Sequence, residues 1–319
     1  MKVVLTHALP DDAALRVDRL GDVCSWTGAG PMPRGALVEA MADADGLLCT
    51  LVDTIDGDLL DLAPGLKVVS TFSVGLDHID LAACAARSVA VGHTPDVLTE
   101  TTADTAFALL LAAARRLREG IDYVRDGRWQ EWDPDLLLGR DVHSTRLGIV
   151  GMGRIGTAIA RRGVAFGMTV GYWSRTAKPE AEASLGAQRL ALDELLETSD
   201  HVVVACALTD DTRHIIDARA LDSMKSSATL VNIGRGPLVD TDALVRALGS
   251  GSIFAAGLDV TEPEPLPADH PLLSLSNCTV IPHLGSSTVE TRSAMAHLAV
   301  DNLAAGLLGE PLPRPADVG

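Results

Sequence analysis

Three loops in this chain hold the residue types needed to move a hydride at a carbonyl carbon. They are Asn232-Ile233-Gly234-Arg235-Gly236, then Gly257-Leu258-Asp259-Val260 with Glu262 and Glu264 close behind, then Pro282-His283-Leu284-Gly285. Each follows a short apolar run, so strand ends would bring Arg235, one glutamate and His283 together. Arginine presents a planar fork that matches a carboxylate, and it can stabilise negative charge growing on the neighbouring carbonyl oxygen. Histidine gives up a proton near neutral pH. A carboxylate beside it would hold the ring and raise its pKa, which favours the charged donor form. Singly, each has an ordinary alternative: a surface ion pair, a satisfied loop histidine, a solvated glutamate.

The hydride source is indicated by Gly151-Met152-Gly153-Arg154-Ile155-Gly156, which follows the apolar run Leu147–Val150 and precedes a helical pattern, Thr157–Phe166. Strand, glycine turn and helix are the context in which GxGxxG binds a dinucleotide. Gly151 permits the tight turn, Gly153 lets the backbone approach a pyrophosphate, and Gly156 lets helix and strand pack closely. The phosphates would rest on open N–H groups at the helix start. NAD sites usually carry Asp or Glu about 20 residues further on. Here the next strand ends in Ser174-Arg175-Thr176, with Lys178 nearby and no carboxylate before Glu180. Two hydroxyls and a guanidinium suit a 2′-phosphate. The expectation is NADPH in preference to NADH, NADH being the lesser alternative; the plainer reading of Arg175 is a solvated charge.

The elements that must position these groups alternate. Strands are expected at Val3–Thr6, Gly46–Cys49, Val68–Thr71 and Val89–Gly92, with helices at Asp11–Leu20, Pro33–Met41, Thr54–Leu62 and Leu81–Ala86. A second strand set is expected at Arg146–Val150, Thr169–Trp173, His201–Val204, Thr229–Asn232, Ile253–Leu258 and Cys278–Ile281. Such alternation builds right-handed βαβ units and parallel sheets. The fold class is therefore α/β: two doubly wound parallel-sheet domains (Rossmann/flavodoxin-like) with a cleft between them. Long helical patterns at Thr99–Leu117 and Ser287–Leu308 would link them. The expected division is a discontinuous substrate-binding domain, 1–98 plus 287–319, and a nucleotide domain, 99–286.

The length of 319 residues favours two domains over one core. A formal charge of −17 argues against nucleic acid and anionic membranes as partners. No apolar run approaches the roughly 18 residues of a membrane span. Met1–Leu5 reads as a first strand rather than a signal peptide. The five cysteines, Cys24, Cys49, Cys84, Cys206 and Cys278, are scattered and form no CxxC, so neither zinc nor a disulfide framework is indicated. Reduced thiols in the cytoplasm are expected.

With these segments assembled, the chain resembles the D-2-hydroxyacid dehydrogenase family. The likeness is clearest from Val68 to Pro313. It is carried by Ser73-Val74-Gly75-Leu76-Asp77-His78-Ile79-Asp80, Thr94-Pro95-Asp96-Val97-Leu98-Thr99, the glycine loop, Asn232–Gly236, Gly257–Val260 with Pro263-Glu264-Pro265, and Pro282-His283-Leu284-Gly285-Ser286. Within the family it is most like the glyoxylate/hydroxypyruvate reductases. Thr94-Pro95-Asp96-Val97-Leu98-Thr99, Val204-Ala205-Cys206, Pro263–Pro267 with His270-Pro271-Leu272-Leu273, and Trp129 plus Trp132 carry that narrower match. The resemblance implies that Arg235 binds substrate, that Glu264 rather than Glu262 orients the histidine, and that His283 is the general acid. Val74 and Gly75 match a loop whose N–H groups hold the substrate carboxylate. Thr102, Arg154, Ile155, Cys206, Ala207, Ile233, Asp259 and Gly285 match cofactor-side positions. Trp132, in the irregular stretch Asp126–Val142, matches an indole that a partner subunit lends to the substrate pocket; an interface anchor without a role in selectivity is the alternative. The stretch Asp133–Asp141 departs from the relatives in carrying three aspartates and few aromatics.

The implied reaction is NADPH-dependent reduction of glyoxylate and hydroxypyruvate to glycolate and D-glycerate, by a homodimer without a metal. The alternatives keep the fold with another substrate (another 2-keto acid, phosphoglycerate or phosphite), or make the chain a nucleotide-sensing binding protein.

Overall fold

The structure is a computed structural model that describes residues 1–317; Val318 and Gly319, the end of the expected second segment of the substrate-binding domain, lie outside the described residues. The chain runs β1 (Lys2–Leu5), α1 (Asp11–Val17), β2 (Asp22–Ser25), α2 (Arg34–Met41), β3 (Gly46–Cys49), α3 (Gly57–Asp61), β4 (Val68–Thr71), α4 (Leu81–Ala86), β5 (Ala90–Gly92), α5 (Thr99–Ala114) and α6 (Leu117–Arg125). It continues β6 (Arg146–Val150), α7 (Arg154–Ala165), β7 (Thr169–Trp173), α8 (Pro179–Leu185), β8 (Gln188–Arg189), α9 (Leu192–Thr198), β9 (His201–Val204), α10 (Ala218–Ser223) and β10 (Thr229–Asn232). It closes with α11 (Thr241–Ser250), β11 (Ala255–Leu258), α12 (Pro271–Ser274), β12 (Cys278–Val280) and α13 (Val289–Leu308). Its contacts separate two units, residues 1–98 with the segment from Thr288 onward, and residues 99–287. Ser287 falls in the second unit, one residue beyond the expected boundary.

The first unit holds a parallel sheet in the order β2-β1-β3-β4-β5. Its inner strands β1, β3 and β4 are buried on both faces, and the period of two decides what each side chain meets. Val3, Leu5, Leu48 and Val68 pack against α1 and α13. Val4, Leu47, Cys49 and Val69 pack against α2, α3 and α4. Strand β2 was not expected: Asp22-Val23-Cys24-Ser25 lies at the sheet edge with both ends exposed, so it carries no continuous apolar signal.

The second unit holds a parallel sheet in the order β12-β11-β10-β9-β6-β7-β8. Leu147, Ile149, Val170, Tyr172, Val203 and Val231 face α5, α7 and α8. Val150, Val202, Val204, Leu230, Ala256 and Leu258 face the helices of the other layer. The order reverses at β6, which lies between β9 and β7; in open α/β sheets such a switch point is where a crevice forms outside the carboxyl ends of the strands. Strand β8 also escaped the sequence reading, being two residues long.

The helix expected over Thr99–Leu117 ends at Ala114 instead. The chain crosses its end: the Arg140 N–H donates to the Ala114 carbonyl at 2.8 Å. Arg116 takes a left-handed conformation (φ 53°) and its guanidinium grips Glu119 at 2.7 and 2.8 Å, after which α6 begins. Among the described residues, no helix is long and apolar enough to cross a membrane.

Candidate active site

The glycine loop closes β6 and opens α7 as its sequence requires. Gly151 has φ +106°, and a Cβ there would lie 2.4 Å from the Cys206 nitrogen. At Gly156 a Cβ would lie 2.1 Å from the Gly151 carbonyl oxygen. Gly153 is the N-cap of α7 and has no side-chain cap; a Cβ there would meet nothing within 4 Å. The first bond across the turn is Thr157 N–H to Gly153 C=O at 2.9 Å, so the N–H groups of Arg154 and Ile155 precede the helical ladder. A capless helix start facing open space fits a pyrophosphate.

The neighbouring strand ends complete the cradle. Cys206 and Ala207 follow β9, and the Ala207 carbonyl accepts from Thr212 at 2.7 Å. The Ile233 N–H donates to the Val204 carbonyl at 3.1 Å, which holds the end of β10 against that of β9. Burial pushes the Cys206 thiol up to about 11, so it stays protonated.

Ser174, Arg175 and Thr176 form the turn after β7, with Ser174 Oγ donating to the Thr176 carbonyl at 2.5 Å. Arg175 is exposed. A second guanidinium braces this turn: Arg189 Nη2 donates to the carbonyls of Ser174 (3.0 Å) and Arg175 (2.9 Å). Sequence reasoning missed Arg189, because its placement depends on β8 pairing with β7 at Tyr172.

Arg235, Asp259 and His283 follow three adjacent strands, β10, β11 and β12. Asn232 shapes the first loop: its side chain donates to the Arg235 carbonyl (2.8 Å) and accepts from the Gly234 N–H (3.1 Å). The Asp259 carboxylate accepts the N–H groups of Leu284 (2.6 Å) and Gly285 (3.0 Å), and its own carbonyl accepts the His283 N–H (2.9 Å). His283 is thereby fixed at φ +52°, a left-handed conformation uncommon for a bulky residue. Burial raises the Asp259 pKa above its ordinary value, against the opposing pull of His283 and the two N–H groups. Thr102 packs beside Gly285, where an added Cβ would meet its Cγ2 at 3.4 Å.

His283 Nδ1 lies 2.6 Å from Glu264 Oε1. Glu262 points elsewhere, to Arg213 (2.6 Å) and His214 (3.3 Å). Burial would raise the Glu264 pKa, but the bond and charge of His283, the Thr261 N–H at 3.3 Å and the charge of Arg235 hold it below the ordinary carboxylate value. With Nδ1 engaged, Nε2 is the atom that can pass a proton to a substrate.

Val74 and Gly75 belong to the other unit, in the turn after β4. Trp132 stands 80% exposed in the irregular stretch after α6.

Residues 107–285 match the family described as D-isomer specific 2-hydroxyacid dehydrogenase, NAD binding domain. The chain is 46% identical over 317 residues to the human glyoxylate reductase/hydroxypyruvate reductase, covering 98% of this chain and 97% of that protein. A crystal structure of a Thermus thermophilus protein superposes with a TM-score of 0.93 at 48% identity, covering 99% of this chain and 100% of the other. That of an NADPH-dependent glyoxylate/hydroxypyruvate reductase from Sinorhizobium meliloti, in complex with NADP and malonate, gives 0.87 at 34% identity, over 99% and 97% of the two chains.

Proposed function

The chain belongs to the D-isomer specific 2-hydroxyacid dehydrogenase family, an NAD(P)-dependent group of oxidoreductases, and on that premise we propose that it reduces glyoxylate and hydroxypyruvate to glycolate and D-glycerate with NADPH. The observation that carries the reading is the 2.6 Å pairing of His283 with Glu264, set within the charge of Arg235 and in the same unit as the glycine turn. NADPH supplies the hydride when bound. Arg235 binds the substrate carboxylate and polarises the adjacent carbonyl oxygen. His283 Nε2 passes a proton to that oxygen as it becomes a hydroxyl, and Glu264 fixes the ring through Nδ1. The N–H groups of Val74 and Gly75 hold the substrate carboxylate. Thr102, Arg154, Ile155, Cys206, Ala207, Ile233, Asp259 and Gly285 line the cofactor. Arg175, with Ser174 and Thr176, takes the 2′-phosphate.

The proposal extends to a homodimer. No residue of α6 is buried, and its Leu117, Ile121 and Val124, at helical spacing, are each half exposed or more. Trp129, Trp132 and Leu138 extend this apolar stretch, which is the kind of patch that marks a protein interface. Trp132 would reach the partner's substrate pocket. The setting is cytoplasmic and reducing, in keeping with five free cysteines, three of them buried.

The test is loss of NADPH absorbance with glyoxylate, hydroxypyruvate, pyruvate and 2-ketobutyrate in parallel, repeated with NADH. Fast turnover of the first two with NADPH is expected. Turnover no faster than with pyruvate, or faster with NADH, overturns the corresponding half of the reading.

A further inference from the structure

We propose that His93 is the positioning residue that aims the Gly75 N–H at the substrate carboxylate. The inference rests on the reading that Val74 and Gly75 take that carboxylate.

The turn after β4 holds three successive carbonyls, and each has a fixed donor. The Ser73 carbonyl accepts from the Thr94 N–H at 2.8 Å. The Val74 carbonyl lies 3.0 Å from His93 Nδ1. The Gly75 carbonyl accepts from Ser73 Oγ at 2.7 Å. The peptide bonds here are trans, because among the described residues only Glu262-Pro263 and Glu264-Pro265 are cis. In a trans peptide the N–H points opposite to the carbonyl of the preceding residue. Pinning three carbonyls therefore turns the N–H groups of Val74, Gly75 and Leu76 away from their props. Successive N–H groups turned outward make an anion-binding concavity.

Of the three props, one is a main-chain N–H and one is a short hydroxyl within the turn, itself 2.9 Å from Thr71 Oγ1. The remaining prop is a side chain from a different segment, and it acts on the central peptide. Its backbone is held on both sides. The His93 N–H donates to the Arg314 carbonyl at 3.1 Å, and the His93 carbonyl accepts from Asn302 Nδ2 at 2.9 Å. Asn302 is fully buried on α13, and its Oδ1 accepts the Arg314 N–H at 2.9 Å. The imidazole thus has a rigid base. Since a carbonyl oxygen only accepts, Nδ1 carries the hydrogen. Without that donor the Val74–Gly75 peptide is free to rotate, and the Gly75 N–H loses its aim.

The test compares His93→Leu with His93→Asn. The two side chains have nearly one shape, but only Asn places an N–H donor where Nδ1 stood. His93→Leu should raise the KM for glyoxylate and weaken inhibition by oxalate, each about tenfold, as expected for one misdirected bond to a charged group. Its kcat should stay within about twofold and its KM for NADPH should not move. His93→Asn should restore both keto-acid parameters. Should His93→Leu not fold, His93→Gln, whose amide reaches one bond further, is read in the same assay and should lie between wild type and the tenfold loss. An unchanged KM in a folded variant, or an equal loss in His93→Asn, overturns the inference while the wild-type reading stands. A wild type that neither turns over keto acids nor binds oxalate removes the underlying reading as well.

Discussion

At Glu264, burial and charge pull in opposite directions, and charge prevails. Its folded pKa lies below that of the unfolded chain. The pairing with His283 is therefore complete above the ordinary glutamate value of about 4.3 and is lost as pH falls through the depressed value. Wild-type kcat should accordingly hold as pH falls to about 5 and decline only below the ordinary carboxylate range. Glu264→Gln should lower kcat about tenfold or more and lack that acid limb, while His283→Ala should cost kcat about a hundredfold or more at every pH. A pH–rate profile of the three proteins, with circular dichroism as a check on folding, decides this. The proposed preference for NADPH is tested at the same scale. Arg175→Ala should cut kcat/KM for NADPH about tenfold or more and leave NADH nearly unchanged, since a charged contact to the 2′-phosphate is lost with nothing equivalent in NADH. Arg189→Ala should act in the same direction, because it releases the turn that carries Arg175. An unchanged NADPH-to-NADH ratio in both variants would remove the 2′-phosphate assignment.

Among the elements, the β6–α7 turn leaves no room for a methyl group at Gly156. Gly156→Ala would drive a Cβ to 2.1 Å from the Gly151 carbonyl oxygen, and a backbone atom cannot step aside as a side-chain end can. Overpacking of this kind costs about 1–3 kcal/mol or more. The variant should melt several degrees lower and lose NADPH fluorescence enhancement; retention of both would mean the turn is looser than its geometry indicates. Helix α6 makes the opposite case, an element with no core of its own. Ile121→Asp combined with Val124→Asp should leave the fold intact and yield a monomer by sedimentation. A dimer that survives both charges would place the interface elsewhere.

For the whole molecule, acid stability follows from several carboxylates held below their ordinary pKa. Asp45 is held down by its bond from Lys67, and Glu100 by its bond from Arg162. At Asp200, burial pushes up, but Lys225 and the Arg146 N–H more than offset it. In the window below about pH 4 the unfolded chain binds more protons at these groups than the native one, so stability falls as pH falls. Asp259, with its pKa raised, has the opposite sign and gains from protonation. The melting temperature should drop progressively from pH 5 to pH 3. A flat profile would mean that Asp259 and the relief of negative self-repulsion outweigh the paired carboxylates.

The sequence alone determined what local patterns can carry. The glycine spacing at Gly151–Gly156 and the apolar runs at Gly46–Cys49, Val68–Thr71 and Arg146–Val150 state their structure because turn geometry and strand burial act over a few residues. The division near Leu98 and Ser287 was legible for the same reason, in the long helical patterns that flank it. Tertiary structure decided what depends on residues far apart in the chain. Helix α5 stops at Ala114 because Arg140 takes its carbonyl, a partner 26 positions away that no window would show. Strands β2 and β8 exist only because a neighbouring strand offers them a ladder. Spacing alone left Glu262 and Glu264 alternatives; the Pro263-Glu264-Pro265 resemblance pointed to Glu264, and folding sends it to His283 and Glu262 to Arg213 and His214. Arg189 at the Ser174–Arg175 turn and His93 behind Val74 are of the same kind. Their chemistry lies in a direction and a distance, and both are set by packing rather than by residue type.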